Sequence, residues 1–228
     1  QMSAERTDAV TRYSKEARVV VLTGSGNAFC SGQDLGDGNS LQSVDLERTL
    51  RDEYEPLIRA IINSTVPTVT ALNGAAAGAG ANLALAADVV IAKSSAYFVQ
   101  AFSRIGLIPD VGGTYFLPRA MGLAKAIGSS IFADKIMAAE AHEIGLIYEY
   151  VEDDNYDIHL KSRVEYLANG PTVAFAGIKT AMRKSLNNSL DEQLELEAKL
   201  QKKCGNTRDF QEGVLAFHEK RKAKFEGR

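Results

Sequence analysis

Cysteine is scarce in this sequence: Cys30 and Cys204 are the only two in 228 residues. They lie far apart and match neither a metal-ligand spacing nor a paired framework. That excludes a disulfide-stapled scaffold and points to a reducing, cytoplasmic setting, with each read as a small buried or half-buried thiol. Excess positive charge is missing too. The formal net charge is −3, and no basic patch interleaved with aromatics occurs, which argues against nucleic acid as a partner and leaves acidic small molecules open. No apolar run approaches the roughly 20 residues that cross a bilayer, and no signal peptide is visible, so no membrane partner is expected. Internal repeats and low-complexity tracts are absent. The three histidines, His142, His159 and His218, sit in helical, charged surroundings without ligand spacing, which reads as surface placement and no metal.

What is present fits an α/β protein. With 45% apolar and 24% charged residues, the chain can bury one substantial core. The opening "QMSAERTDAVTRYSKEA" already has helical spacing at Met2, Ala9 and Val10, and a segment that would normally precede it is expected to be missing. "ARVVVLTGSG" reads as a buried strand stopped by glycines, and "NAFCSGQDLGDGNSLQS" as a polar loop. Leu46, Leu50, Leu57, Ile58, Ile61 and Ile62 form a helical stripe over about 44–63. "VPTVTAL" is a second strand, with Pro67 at its start where the missing N–H does least harm. A glycine/alanine turn, a short helix and a third strand ending near Ala92 follow, and "AYFVQ" suggests a fourth. Helices are expected at about 112–132, 138–144, 157–169, 172–187 and 190–221, with a strand near "LIYEYVE". Strands alternating with helices mean α/β. The sheet-building part is expected to span 1–151, and a helical region rich in Lys and Glu to span 152–228.

Three segments carry chemistry. In "TVTALNGAAAGAGANLAL", residues 74–81 have no side chain larger than methyl, so a ligand could lie against the main chain at the start of the next helix. Tight packing of a small-residue helix on a sheet explains the same pattern. In "NAFCSGQDL", Ser31 and Gly32 leave the amide of Gln33 approachable, although a solvated turn would look identical. Both loops follow strands of a parallel sheet, whose carboxyl ends are where open α/β folds place ligands. The third segment, "RIGLIPDVGGTYFLPRAMG", sets Asp110 between a proline and a Gly-Gly pair. Its commonest use there is as a helix N-cap, but Thr114 can cap "YFLPRAMG" by itself, which frees Asp110 for acid/base work. Apolar walls would raise its pKa toward the working range, and Phe102, Ile105, Leu107 and Ile108 are near in sequence. A dinucleotide site is a poor fit: after Gly24 and Gly26 the third glycine of G-x-G-x-x-G is Phe29, and a loop follows where a helix should open.

"AFCSGQDL", "NGAAAGAGANLAL" and "GLIPDVGGTYFLPR", in this order, resemble the crotonase (enoyl-CoA hydratase/isomerase) superfamily. The tail "FQEGVLAFHEKRKAKF" resembles its C-terminal signature. The likeness covers essentially the whole chain, apart from an opening strand hairpin with an "LNRP"-like turn. It implies a ββα spiral core with a C-terminal helical trimerisation region. It also implies an oxyanion hole formed by the backbone N–H groups of Gln33 and Ala79, which grip the thioester oxygen of an acyl-CoA as it becomes an enolate. No cofactor is implied beyond the coenzyme A of the substrate. Phe217 and Lys220 would contact that coenzyme A, and a homo-oligomer, a trimer or a dimer of trimers, is expected. Hydratases of the family use two glutamates, and Asn82 and Phe102 stand in their places, so simple hydration is not expected. Asp110 falls where isomerase and dehalogenase branches keep their acid/base or nucleophile. The three segments look most like the branch that isomerises ring-1,2-epoxyphenylacetyl-CoA to an oxepin in phenylacetate catabolism. Shifting of Δ3 to Δ2 double bonds, dehalogenation and a non-catalytic acyl-CoA-binding scaffold remain alternatives.

Overall fold

In the computed structural model the described residues are 2–33 and 45–228. Most of the polar loop read from "NAFCSGQDLGDGNSLQS", from residue 34 on, therefore lies outside them. The elements run α1 (Met2–Glu16), β1 (Val20–Thr23), β2 (Ala28–Cys30), α2 (Leu46–Thr49), a π-helical turn (Leu50–Tyr54), α3 (Glu55–Ile62), β3 (Thr68–Leu72), β4 (Ala75–Ala77) and α4 (Ala79–Ala84). They continue with β5 (Val89–Lys93), β6 (Tyr97–Val99), a 3-10 turn (Ala101–Ile105), α5 (Gly113–Met121), α6 (Leu123–Phe132), β7 (Ile136–Met137), α7 (Ala138–Glu143) and β8 (Glu149–Val151). The last elements are α8 (Tyr156–Ala168), α9 (Thr172–Ser185), α10 (Leu190–Gly205) and α11 (Arg208–His218).

Strands alternate between two four-stranded sheets up to β6, after which β7 joins β6 and β8 joins β5, giving the orders β1-β3-β5-β8 and β2-β4-β6-β7. β3, β5 and β8 pair in parallel, as do β2, β4 and β6, while β7 joins its sheet antiparallel. The α/β reading therefore holds. β3 is buried at every position, and its polar side chains are matched: the Thr70 hydroxyl donates to the Ala84 carbonyl and Thr68 is held by the Asp88 carboxylate. A fully buried strand tolerates hydroxyls only on those terms.

Two compact units result. One comprises residues 1–12, 21–64 and 68–160 and contains both apolar clusters, one around Leu72, Phe98 and Leu117, the other around Leu57, Ile61, Leu83 and Val111. The other comprises residues 13–20, 65–67 and 161–228. There the buried Asp209 carboxylate accepts from the amides of Glu226 and Gly227 at 2.7 and 2.9 Å, which pins the tail. Arg18 binds the carbonyls of Gly170 and Phe225 and the Thr172 hydroxyl.

Several local expectations change. Three strands went unread: β2 inside the segment taken as a loop, β4 inside the glycine/alanine turn, and the two-residue β7. Each is too short, and β4 too rich in alanine, to show a strand pattern. The helix expected over 112–132 breaks at Gly122, whose φ is +78°. The one expected over 190–221 breaks at Asn206, where the Thr207 side chain caps α11 by accepting from the Phe210 amide. His159 is half-buried, not on the surface, with Nε2 3.0 Å from the Glu149 carboxylate.

Candidate active site

The Gln33 loop and the start of α4 meet through glycines. A Cβ on Gly80 would overlap the Cys30 carbonyl, and one on Gly32 would stand 3.1 Å from the Ala77 oxygen and 3.6 Å from the Ala79 nitrogen. Gly32 also has φ +93°, a region that L side chains rarely adopt. The chain leaving β2 is thus laid directly on the turn between β4 and α4. Ala79 is the first residue of α4, so its amide has no acceptor inside the helix. Among the described residues neither the Ala79 nor the Gln33 amide is hydrogen-bonded. Among the described residues, two donors of adjoining segments are thus open to a ligand.

Phe102 is buried with its ring 3.8 Å from where a Gly78 Cβ would be, which makes an apolar surface beside the Ala79 turn. The other three expected walls are corrected. Ile105 and Ile108 are 54% and 76% exposed, and Leu107 is exposed as well. Ile105 closes the 3-10 turn, and Leu107 and Ile108 follow its left-handed C-cap Gly106 (φ +75°).

Asp110 caps no helix. α5 starts at Gly113 with Gly112 (φ +84°) as its N-cap residue and no side-chain cap, so Thr114 is inside the helix and does not cap it. The Asp110 carbonyl accepts from the Gly113 amide at 2.8 Å and from Asn82 Nδ2 at 2.9 Å. Its side chain is spared for other work. Oδ1 is buried with no hydrogen-bond partner, and burial pushes the carboxyl up to about 6, opposed only by its own backbone amide. That is a carboxyl partly withdrawn from water and short of donors, the condition for acid/base work near neutrality. The environment comes from elsewhere in the chain. Val111 joins the apolar cluster that also holds Ala79, Leu83 and part of Tyr54. The Tyr54 phenol is itself raised, first by burial and then by Cys30 and Asp110.

The structure thus brings Gln33, Ala79 and Asp110 into one compact unit, with Asn82 linking the last two segments. Phe217 and Lys220 belong to the other unit: Phe217, near the end of α11, is 81% exposed, and Lys220 has φ +52° just beyond it. Sequence reasoning noticed Asn82 only as a missing glutamate and missed Gln100, Val111 and Tyr54. A buried-type amide in an otherwise apolar α4 was the available signal for Asn82. Tyr54 offered none, because its approach to Asp110 is a result of packing.

The family model for enoyl-CoA hydratase/isomerase matches residues 1–228. The chain belongs to the enoyl-CoA hydratase/isomerase family. It is 56% identical over 227 residues to a Rhodobacter capsulatus protein named "Probable enoyl-CoA hydratase", covering 100% of this chain and 88% of that one. It is 40% identical over 233 residues to the Escherichia coli 1,2-epoxyphenylacetyl-CoA isomerase, covering 100% and 89%. A crystal structure of a "putative Enoyl-CoA hydratase/isomerase" from Mycobacterium abscessus superimposes with a TM-score of 0.93 at 37% identity, covering 100% of this chain and 89% of that one. The crotonase fold expected from the three motifs is therefore the fold of this chain, and the protein is an enzyme of that family. Among the described residues no helix is long and apolar enough to cross a membrane.

Proposed function

We propose that this enzyme is an acyl-CoA isomerase, in which the Gln33 and Ala79 amides hold the thioester oxygen and Asp110 moves the proton. The observation that carries this reading is the Asp110 carboxylate, one oxygen of which is buried without a hydrogen-bond partner, in the unit that also holds two amides with no hydrogen bond among the described residues. Asp110 takes a proton from the carbon next to the thioester, or from a vinylogous one, and the electron pair passes to the thioester oxygen. Two preset donors stabilise that enolate where charge develops, and losing one such donor typically costs about 2.7–4 kcal/mol. The electrons then return to carbon and the proton is put back elsewhere, so reactant and product are isomers.

With ring-1,2-epoxyphenylacetyl-CoA, the returning electrons assist rearrangement of the epoxide to the seven-membered oxepin. With a 3-enoyl-CoA the same transfer moves the double bond to Δ2. The 40% identical E. coli isomerase supports the epoxide substrate. Phe217 and Lys220 are our candidates for contacting the coenzyme A of a substrate held in a homo-oligomer.

Hydration is the second reading, favoured by the name of the 56% identical relative. Against it stand Asn82, engaged at both ends of its amide, and Phe102, an apolar ring. The deciding assay supplies epoxyphenylacetyl-CoA, a 3-enoyl-CoA and a 2-enoyl-CoA side by side to the protein and to Asp110→Asn. Isomerised product that disappears with the substitution supports the proposal. A 3-hydroxyacyl-CoA product would support hydration, a covalent adduct on Asp110 would identify a nucleophile, and no turnover of any ester would point to a binding scaffold.

A further inference from the structure

Val111, next to Asp110, is a buried β-branched residue with φ +49°. A valine in the left-handed region is a genuine outlier, and such a conformation persists only where its surroundings over-determine it. Those surroundings are specific. The Asp110 carbonyl accepts from Asn82 Nδ2 at 2.9 Å, and Asn82 Oδ1 accepts from Gln100 Nε2 at 2.8 Å. Asn82 is fully buried, Gln100 nearly so, and a Cβ on Gly113 would overlap the Asn82 amide, which fills the space beneath the turn.

Chemistry fixes the polarity of this chain. A main-chain carbonyl can only accept, so Asn82 must turn its NH2 to Asp110 and its oxygen to Gln100, which must in turn present NH2. Neither amide can flip without opposing two acceptors. Asn82 also stands on α4, three residues after Ala79, and Gln100 follows β6, whose Val99 carbonyl accepts from the Gly78 amide. One side chain therefore ties the carboxylate's segment to the helical turn that carries a proposed oxyanion donor.

We infer that Asn82 and Gln100 are positioning residues that hold the strained Asp110–Val111 turn, and with it the Asp110 carboxylate, against the oxyanion amides. The inference rests on the isomerase reading for its effect on turnover, but not for its effect on the carboxylate itself. Other titratable groups near Asp110 are the phenol of Tyr54 and, around that phenol, Cys30, Glu53 and Arg6. Tyr54 is raised above its ordinary value and stays neutral through the acidic range.

The test compares Asn82→Leu, which keeps the branched heavy-atom shape but removes both hydrogen bonds, with Gln100→Met, which removes only the outer one. Asn82→Leu is expected to lower kcat 10- to 100-fold with KM changed less than threefold, and to move the acid limb of the pH–rate profile from about 6 toward the ordinary carboxylate range. Gln100→Met is expected to act in the same direction by a smaller factor. Adding Val111→Gly to Asn82→Leu should recover part of the lost kcat, since glycine adopts the turn without strain. A purely structural role would give no such recovery and no shift of the acid limb, and that result overturns the inference.

A second readout is independent of turnover. The pH-dependent difference in unfolding between the protein and Asp110→Asn should shrink when Asn82→Leu is present in both. If Asn82→Leu does not fold, Gln100→Met carries the same comparison, and an unchanged difference there also overturns the inference. Should Asp110→Asn retain full turnover, the isomerase reading fails, and this unfolding comparison still decides whether Asn82 and Gln100 place the carboxylate.

Discussion

Replacing Asp110 by asparagine is expected to stabilise the protein while removing its activity. Burial lifts the carboxyl from 3.8 to about 6, and a tenfold change in proton affinity corresponds to about 1.36 kcal/mol. Ionising the group at neutral pH would thus cost the fold up to about 3 kcal/mol if it were wholly enclosed. Asp110 is only half-buried, so solvent screening leaves roughly 1–2 kcal/mol. Because the folded-state pKa lies above the unfolded one, the protonated folded form is favoured. Stability is therefore fully present below about pH 4 and is lost as pH rises through about 6. Asp110→Asn has no charge to desolvate and escapes that loss. Urea unfolding of both proteins, at one protein concentration and at intervals from pH 4 to 8, should give coincident midpoints at the acid end and a gap in favour of the variant that opens by pH 6 and then stays level. A variant less stable at pH 7, or a gap that does not vary with pH, would refute the argument that the carboxylate is held dry.

Other expectations follow from the same geometry. With Asp110 as base, kcat/KM for an isomerisable acyl-CoA should fall about tenfold per pH unit below about 6 and level off above it, as a pH–rate profile will show. Gly32→Ala puts a side chain on a residue with φ +93° and 3.1 Å from the Ala77 oxygen, which should disturb one oxyanion donor, lower kcat by about tenfold or more and cost about 1 kcal/mol or more of stability in urea unfolding. Gly80→Ala drives a methyl into the Cys30 backbone and should cost about 1–3 kcal/mol of stability, measured by urea unfolding. Asp209→Ala strands the amides of Glu226 and Gly227. It should cost about 1.5–3 kcal/mol, with hydrogen exchange rising first in the last residues of the chain.

Much of the scaffold was legible because its signals are local. The Val/Leu run of β1, the all-apolar or hydroxyl-bearing β3 and the amphipathic spacing of α3 state their class within a few residues, and α8 and α9 appear within a residue or two of where periodicity puts them. The unread strands are pieces of two or three residues that exist because a neighbouring strand is already in register: Ala75–Ala77 pairs with Tyr97–Val99, and nothing in three alanines announces it. Asp110 was legible as a candidate, but its surroundings were not. Sequence proximity proposed Ile105 and Ile108 as walls, and both face solvent on either side of a left-handed Gly106, while Tyr54 and Leu83 arrive from distant segments. Thr114 failed as a cap because the Gly112–Gly113 pair starts the helix earlier, over the amide of Asn82.

By itself the sequence determined the α/β class, the glycines that allow two main-chain segments to touch, and a lone carboxylate between Pro109 and a Gly-Gly turn, since each depends on residue type and short-range spacing. Only the tertiary structure decided that one oxygen of that carboxylate would be dry and unpartnered, that Asn82 would grip its carbonyl from 28 residues away, and that Val111 would be forced into the left-handed region. Desolvation and strain are properties of what surrounds a residue. Surroundings assembled from separated segments leave no mark on the spacing of any one of them.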